Sequence, residues 1–447
     1  MTKDMTKGTP MKLILQFTLP LLMGNLFQQM YNLIDSIIVG KALGVNALAA
    51  VGASSSITFL ILGFVIGTSS GFAIPVAQCF GAKNESDLRR YIYNGAFLGV
   101  VLAAAVTAVT CLLCKHILTW MGTPEDIMEG AYAYLIVIFI GIPFTFLYNI
   151  LAGIIRSLGD GRTPFIFLLI STVLNVIGDL AFILVFHMGV MGASLATILA
   201  QAISGFLCLF FIHSHFSILK MEQQEKKLEL YKMKQLLGIG IPMGLQFSIT
   251  AIGSIMLQSA INGLGLVYAT AYAAAIKIKQ LAMCPYDAIA NAMATFGGQN
   301  LGAGKLDRIK KGLVDSLIIG GIYSILAFVI LRFFGTNLTQ LFVDKENTEI
   351  LMRAQQYLSA IGAFYFLLSG LNIFRSTIQG LGYSAPVFFS GVFEMIARTV
   401  MALLVIPRFG YTAACYTDVT AWLAAILFLI PLFMAVMKKL ERKLKQT

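Results

Sequence analysis

The chain has 447 residues, 58% of them hydrophobic and only 12% charged, with a formal net charge of +11 and a mean hydropathy of +0.83. A soluble domain of this size needs far more charge to cover its surface, so a water-soluble globular protein is excluded. Apolar runs of roughly 20 or more residues recur throughout, each able to cross ~30 Å of hydrocarbon. The ten-residue alternation of a membrane β-barrel is missing, so an all-α integral membrane protein is expected.

The start, "MTKDMTKGTPMK", lacks the short apolar core and cleavage site of a secretory signal, and the first apolar run should remain as a span. Twelve transmembrane helices are expected, near 12–39, 46–79, 91–114, 128–155, 163–186, 190–213, 234–262, 266–299, 310–334, 348–379, 384–406 and 410–437. Basic clusters fall on one side of this arrangement: the N-terminal tail, Lys83 with Arg89 and Arg90, Arg156 with Arg162, the 220–234 connector, 305–311 and 438–445. The excess of Lys and Arg marks the cytoplasmic side. Both termini are therefore expected in the cytoplasm of a cell whose inner membrane holds the protein. That asymmetry accounts for the positive charge without a nucleic-acid partner.

On the first span, Gln28, Asn32 and Asp35 fall at i, i+4 and i+7 on one helical face, with Tyr31 beside them. A carboxylate at bilayer depth costs at least ~2.5–3.5 kcal/mol and marks a functional position by default. Glycines 63, 67 and 71 on the second span form two successive GxxxG spacings that allow another backbone to approach. "CLLC" at 111–114 has redox-motif spacing, but on a membrane helix its cysteines read as small buried hydrophobes. No metal site is indicated. The fifth span carries Asn175 and Asp179 at i, i+4, and Thr197 follows on the sixth. Together with Asp35 these groups could hold a proton or a small hard cation. The structural alternative, helices tied by hydrogen bonds, is weaker because intramembrane acids are costly glue.

The polar stretch "KMEQQEKKLELYK" at 220–232 reads as a surface amphipathic linker between two halves that repeat at a displacement of about 221–223 residues. Pro20 aligns with Pro242, "AQCFGAK" at 77–83 with "GQNLGAG" at 298–304, and "RSLGDGRTP" at 156–164 with "QGLGYSAP" at 379–386. The expected organisation is an N-terminal six-helix lobe (1–218), a cytoplasmic linker (219–234), a C-terminal six-helix lobe (235–437) and a basic tail (438–447). Six spans per half place both halves the same way up, related by a pseudo-two-fold axis along the membrane normal. The counterpart of Asp35 is Gln258, which cannot ionise. The second half holds other buried charges: Lys277, Lys279, Asp287, Arg375, Glu394 and Arg398. Glu394 and Arg398, at i, i+4, are expected to pair. Lys277 and Lys279 lie roughly 16–20 Å along their helix, so water or an acid should be nearby.

These features resemble the multidrug and toxic compound extrusion (MATE) transporters: two six-helix halves, "YNLIDSIIVG" on the first span, "NVIGD" on the fifth, and the paired "Q-x-x-G-A" loops. The DinF-like bacterial branch is the best match. The acidic residues of the NorM-like branch on the seventh and tenth spans are missing here. The resemblance implies two lobes that alternate between inward- and outward-open states. It also implies export of drug-like, often cationic, organic compounds in exchange for H⁺ or Na⁺, with Asp35, Asn175, Asp179 and Thr197 as the ion-coupling site. Substrate is expected at Gln28, Tyr31, Asn32, Tyr148, Asn149, Gln246 and Met256, with Pro20 as a bending point of the first helix. No cofactor beyond the coupling ion and no enzymatic activity are expected, and the chain should work as a monomer in the lipid bilayer. The alternative is a flippase for lipid-linked oligosaccharides or lipids, favoured by the cations Lys277, Lys279 and Arg375.

Overall fold

The computed structural model describes residues 3–446, apart from the Val45 side chain. Its helices are α1 (Pro10–Leu43), α2 (Val45–Gly81), α3 (Glu85–Trp120), α4 (Glu125–Ile140), α5 (Ile142–Ser157), α6 (Arg162–Asp179), α7 (Val190–His215), α8 (Leu230–Asn262), α9 (Leu266–Gly302), α10 (Leu306–Thr339), α11 (Thr348–Ala363), α12 (Tyr365–Gly380), α13 (Ser384–Val400), α14 (Ile406–Phe409) and α15 (Tyr411–Leu444). Among the described residues there is no strand. Eight helical segments are long and apolar enough to cross a membrane, and ten if the bent pairs α4/α5 and α11/α12 each count once. Helices α1 and α9, of 34 and 37 residues, are also long enough, but amides and charges interrupt their apolar character. Twelve crossings are accommodated, most of them longer than the sequence suggested.

The breaks have local causes. Helices α4 and α5 meet at 46° around Gly141, where Pro143 in the first turn of α5 restarts the helix. Helices α11 and α12 meet at 52° around Phe364, with no proline involved. Helix α1, by contrast, runs unbroken through Pro20. Two π-helical stretches follow α6 and α13, Leu180–Val185 and Met401–Val405. Each leads to a glycine in the left-handed region, Gly189 (φ 61, ψ −147) and Gly410 (φ 63, ψ −147), which only glycine adopts without strain. The repeat seen in the sequence is thus present in the bent pair, the π-helical stretch and the glycine that follows it, with the short α14 found in the second copy alone among the described residues.

The chain forms two compact units, and these are not its sequence halves. The first contains Met23–Ser248 with Lys3 and Asp4; the second contains Met5–Leu22 and Ile249 onward. Met5, Ile14 and Phe17 accordingly lie in the same buried cluster as Tyr286, Tyr357 and Trp422. Met5 is held by side chains of the "GQNLGAG" loop region: its N–H donates to Gln299 Oε1 (2.8 Å), and its carbonyl accepts from Asn300 Nδ2 (3.2 Å) and Arg308 Nη2 (3.1 Å). In the first unit the chain between α7 and α8 carries two short 3₁₀ turns, Ser217–Leu219 and Gln223–Glu225, and is docked on α3 by side-chain bonds. Arg89 Nε donates to Glu225 (2.6 Å), Lys232 to Asp87 (2.7 Å), and Asn94 accepts the Glu229 N–H (2.8 Å).

Within the first unit α2 lies against the start of α8 through bare backbone. A Cβ on Gly67 would stand 2.7 Å from the Met243 carbonyl oxygen and 2.9 Å from the Gly244 Cα. Backbone on both sides leaves nothing to move aside. Gly67→Leu should therefore destabilise the protein by at least ~1–3 kcal/mol, the usual range for overpacking, read as a lower melting midpoint in detergent. A second expectation concerns the linker. The Arg89 side-chain hydrogen bond holds the Glu225 carboxyl below its ordinary 4.5, at about 2, against the opposing effect of desolvation. A carboxylate depressed in the folded state stabilises it above the unfolded pKa and loses that contribution as pH falls through the folded value. Protection of the 222–229 amides, taken as the intrinsic over the observed exchange rate at each pH, should then be high above about pH 4.5 and fall toward about pH 2, and Glu225→Gln should remove that fall.

Candidate functional site

In the first unit α1, α4, α6 and α7 bring polar side chains together. Asp179 ends the regular part of α6 and is fully buried. Asn175, one turn earlier, is buried too, and its Nδ2 donates to Thr197 Oγ1 on α7 (3.2 Å). The Thr197 hydroxyl donates a hydrogen bond to the Ala193 carbonyl (3.1 Å), which leaves its oxygen free to accept from the amide. Asp35 of α1 is half-buried and within hydrogen-bonding reach of Asp179. Its Oδ1 is buried without a hydrogen-bond partner. The Tyr31 hydroxyl, one turn before Asp35, reaches Thr197.

Two carboxylates in contact repel each other unless a proton lies on one or a cation lies between them. The π-helical stretch that begins at Leu180 places irregular backbone directly after Asp179, a feature frequent at functional positions. This arrangement suits a proton or one small monovalent cation. Among the described residues no group of three or more His, Cys, Asp or Glu could hold a metal ion.

The structure separates the expected site residues. Asp35, Asn175, Asp179, Thr197 and Tyr31 converge. Asn32, on the same helical stripe, is exposed and bonds Gln29 on its own helix (3.2 Å), and Gln28 is exposed as well. Tyr148 points toward the Pro164 carbonyl (3.5 Å), and Asn149 Nδ2 turns back to the Thr145 carbonyl (2.8 Å). Gln246 is buried in α8 within the first unit, whereas Met256, further along α8, belongs to the second. Tyr134 of α4 was not anticipated. It interacts electrostatically with Asp35, Tyr31 and Asp179, and nothing in "AYAYLIVIF" distinguishes it from an ordinary interfacial tyrosine.

The second unit has a buried charge cluster of its own. Lys279 Nζ on α9 lies 2.5 Å from Asp418 Oδ2 on α15, which also accepts from the Tyr357 hydroxyl (2.8 Å). Arg398 on α13 donates from Nε to Asp418 Oδ1 (3.1 Å) and lies 3.4 Å from Glu394 through Nη2. Glu394 also pairs with Arg375 of α12. The acid expected near Lys279 is thus Asp418, which the sequence reading passed over although it is a carboxylate inside an apolar span, the same signal as Asp35. Lys277 is half-buried and makes no hydrogen bond or ion pair among the described residues. Asp287 is exposed, with Arg375 as the charge acting on it.

The model of the MatE family matches residues 20–181 and again 242–404. The chain belongs to the MatE family. The double match reproduces the internal repeat. "Probable multidrug resistance protein YpnP" of Bacillus subtilis is 31% identical over 378 residues, covering 82% of this chain and 83% of that protein. "DNA damage-inducible protein F" of Escherichia coli, of the expected DinF type, is 23% identical over 94% of this chain and 89% of its own length. Among solved structures, the outward-facing conformation of a multidrug resistance MATE family transporter of the MOP superfamily superposes with a TM-score of 0.91 at 20% identity, covering 98% of both chains. That likeness establishes the fold of this MATE protein as a multi-pass helical membrane protein.

Stability separates a functional acid from a structural one. Replacing a buried ionisable group by a neutral isostere removes its desolvation cost. Asp179→Asn should leave the melting midpoint unchanged or raised. Asn175→Leu, which deletes a buried hydrogen bond, should cost about 1–2 kcal/mol. Thermal melting of both purified variants beside the unaltered protein provides the check.

Proposed function

We propose that this MATE protein is a secondary active multidrug efflux transporter, which exchanges H⁺ or Na⁺ for drug-like, cationic organic compounds by alternating access. The observation that carries the reading is the contact between Asp35 and Asp179, with an unpartnered buried oxygen on Asp35. Neutralisation of this pair by an entering ion lowers the cost of burying α1 against α6. An ion can drive a conformational exchange only as far as it binds the two states with different affinity. The membrane potential adds ~2.3 kcal/mol per charge per 100 mV. Relatives named as multidrug resistance proteins support the substrate class. Of the proposed substrate residues Tyr31 interacts with Asp35, Asp179 and Thr197, while Gln28, Asn32, Tyr148, Asn149, Gln246 and Met256 offer polar and soft contacts for varied ligands.

The same reading places the protein in the bacterial inner membrane as a monomer without nucleic-acid partners, both termini cytoplasmic. The flippase alternative rested on a cationic group of Lys277, Lys279 and Arg375. Lys279 is bonded to Asp418 and Arg375 to Glu394, acids that Arg398 shares, so most of that positive charge is engaged within the protein and less of it is left to attract an anionic lipid.

Counterflow of a fluorescent organic cation into proteoliposomes, with pH and sodium gradients imposed separately, tests the proposal. Asp35→Asn and Asp179→Asn should each reduce gradient-driven accumulation to the protein-free level with normal insertion, and Gln258→Ala should leave it intact. Undiminished accumulation by Asp35→Asn rejects the coupling role.

A further inference from the structure

The two polar clusters sit at corresponding places in the repeat. Helices α4/α5 and α11/α12 match without a gap, from Glu125 to Thr348 and from Ser157 to Gly380, which pairs Tyr134 with Tyr357. Helices α7 and α15 both begin after a left-handed glycine. Thr197 stands as far from Gly189 as Asp418 does from Gly410. Arg398 lies one position beyond the counterpart of Asn175, counted from the aligned prolines 164 and 386. Gln258, at the place of Asp35, is uncharged and bonds Asn262 (2.8 Å).

What differs is the source of the positive charge. In the first unit Asp35 and Asp179 lie against one another, and on the proposed reading they are neutralised by a proton or a free ion. In the second unit the acid is Asp418, and two cations of the chain itself, Lys279 and Arg398, bind it. The Lys279 ammonium also lies 3.4 Å from the Tyr357 hydroxyl and 5.8 Å from the centre of the Trp422 ring. A carboxylate, a phenol oxygen and an indole face together form a receptor for an ammonium ion.

We infer that the Asp418 cluster is a second cation site of the fold, permanently occupied by the Lys279 ammonium, and that truncating this lysine opens it to a free monovalent ammonium ion. The inference rests on the proposed reading of Asp35 and Asp179 as the exchangeable site. It assigns the second unit a site that cannot release its cation, because that cation is covalently part of α9.

The test uses the full-length chain in detergent with Asp35→Asn and Asp179→Asn, so that the first site is silent. In that background Lys279→Ala should lower the melting midpoint. Methylammonium should restore it along a saturating curve, with half-response at least about tenfold below any response of the parent, as binding to the native state alone requires. Tetramethylammonium at equal ionic strength should not. Adding Asp418→Asn should abolish the rescue. A Lys279→Ala protein that melts like its parent, or that responds equally to both ions, overturns the inference. If Lys279→Ala does not fold in ordinary buffer, recovery of folded protein in methylammonium from lysis onward supports the inference, and failure to recover it there overturns it. The melting response is independent of the counterflow assay, so an Asp35→Asn variant that still transports would reject the exchange reading without deciding this one.

Discussion

Hydrocarbon does not solvate charge, and every polar feature of this protein answers to that constraint. An ionised carboxylate within a span has to be neutralised by a proton, a free ion or another side chain. Asp35 and Asp179 stand together in the first unit, and Asp418 stands among Lys279, Arg398 and Tyr357 in the second. The same physical demand is met by built-in charge in the second unit and, on the proposed reading, by exchangeable charge in the first. Only the exchangeable form can do work, since an ion that never leaves cannot bias one conformation over another.

The repeat shows how a duplicated scaffold carries such a difference. Its irregularities are duplicated faithfully: the bend between α4 and α5 recurs between α11 and α12, and each π-helical stretch leads to a left-handed glycine. These features belong to the backbone and survive substitution of side chains around them. The charges are free to diverge, because moving an acid from α1 to α15 changes which partner neutralises it without altering the helices. The segments preceding α1 and α8 are likewise both tied down by side-chain hydrogen bonds to main chain, at Gln299, Asn300 and Arg308 for one and at Asn94 for the other. The "GQNLGAG" motif thus has a structural duty in addition to marking the family.

Class, span number, repeat and the polar residues of the candidate site were legible from residue types alone. Hydropathy follows from composition, and a carboxylate in an apolar run is conspicuous wherever it folds. Asp35, Asn175, Asp179 and Thr197 were found this way, and Asp418 could have been. Contacts that depend on which face of which helix meets another were not legible. Tyr134 has no distinguishing neighbours in sequence, and the inward or outward turn of Tyr148, Asn149 and Asn32 depends on local packing that hydropathy does not record.

The sequence by itself determined that this is a repeated, twelve-crossing helical membrane protein with acids at depth, because burial of polar groups in lipid restricts both secondary structure and composition. Tertiary structure alone decided which charges are spent on one another. Lys279 and Asp418 are separated by 139 residues yet lie 2.5 Å apart, and no periodicity along a chain encodes such a distance. It also decided that Met5–Leu22 packs with the second unit and the start of α8 with the first, since a continuous helix can leave one core for another without any break in its sequence pattern.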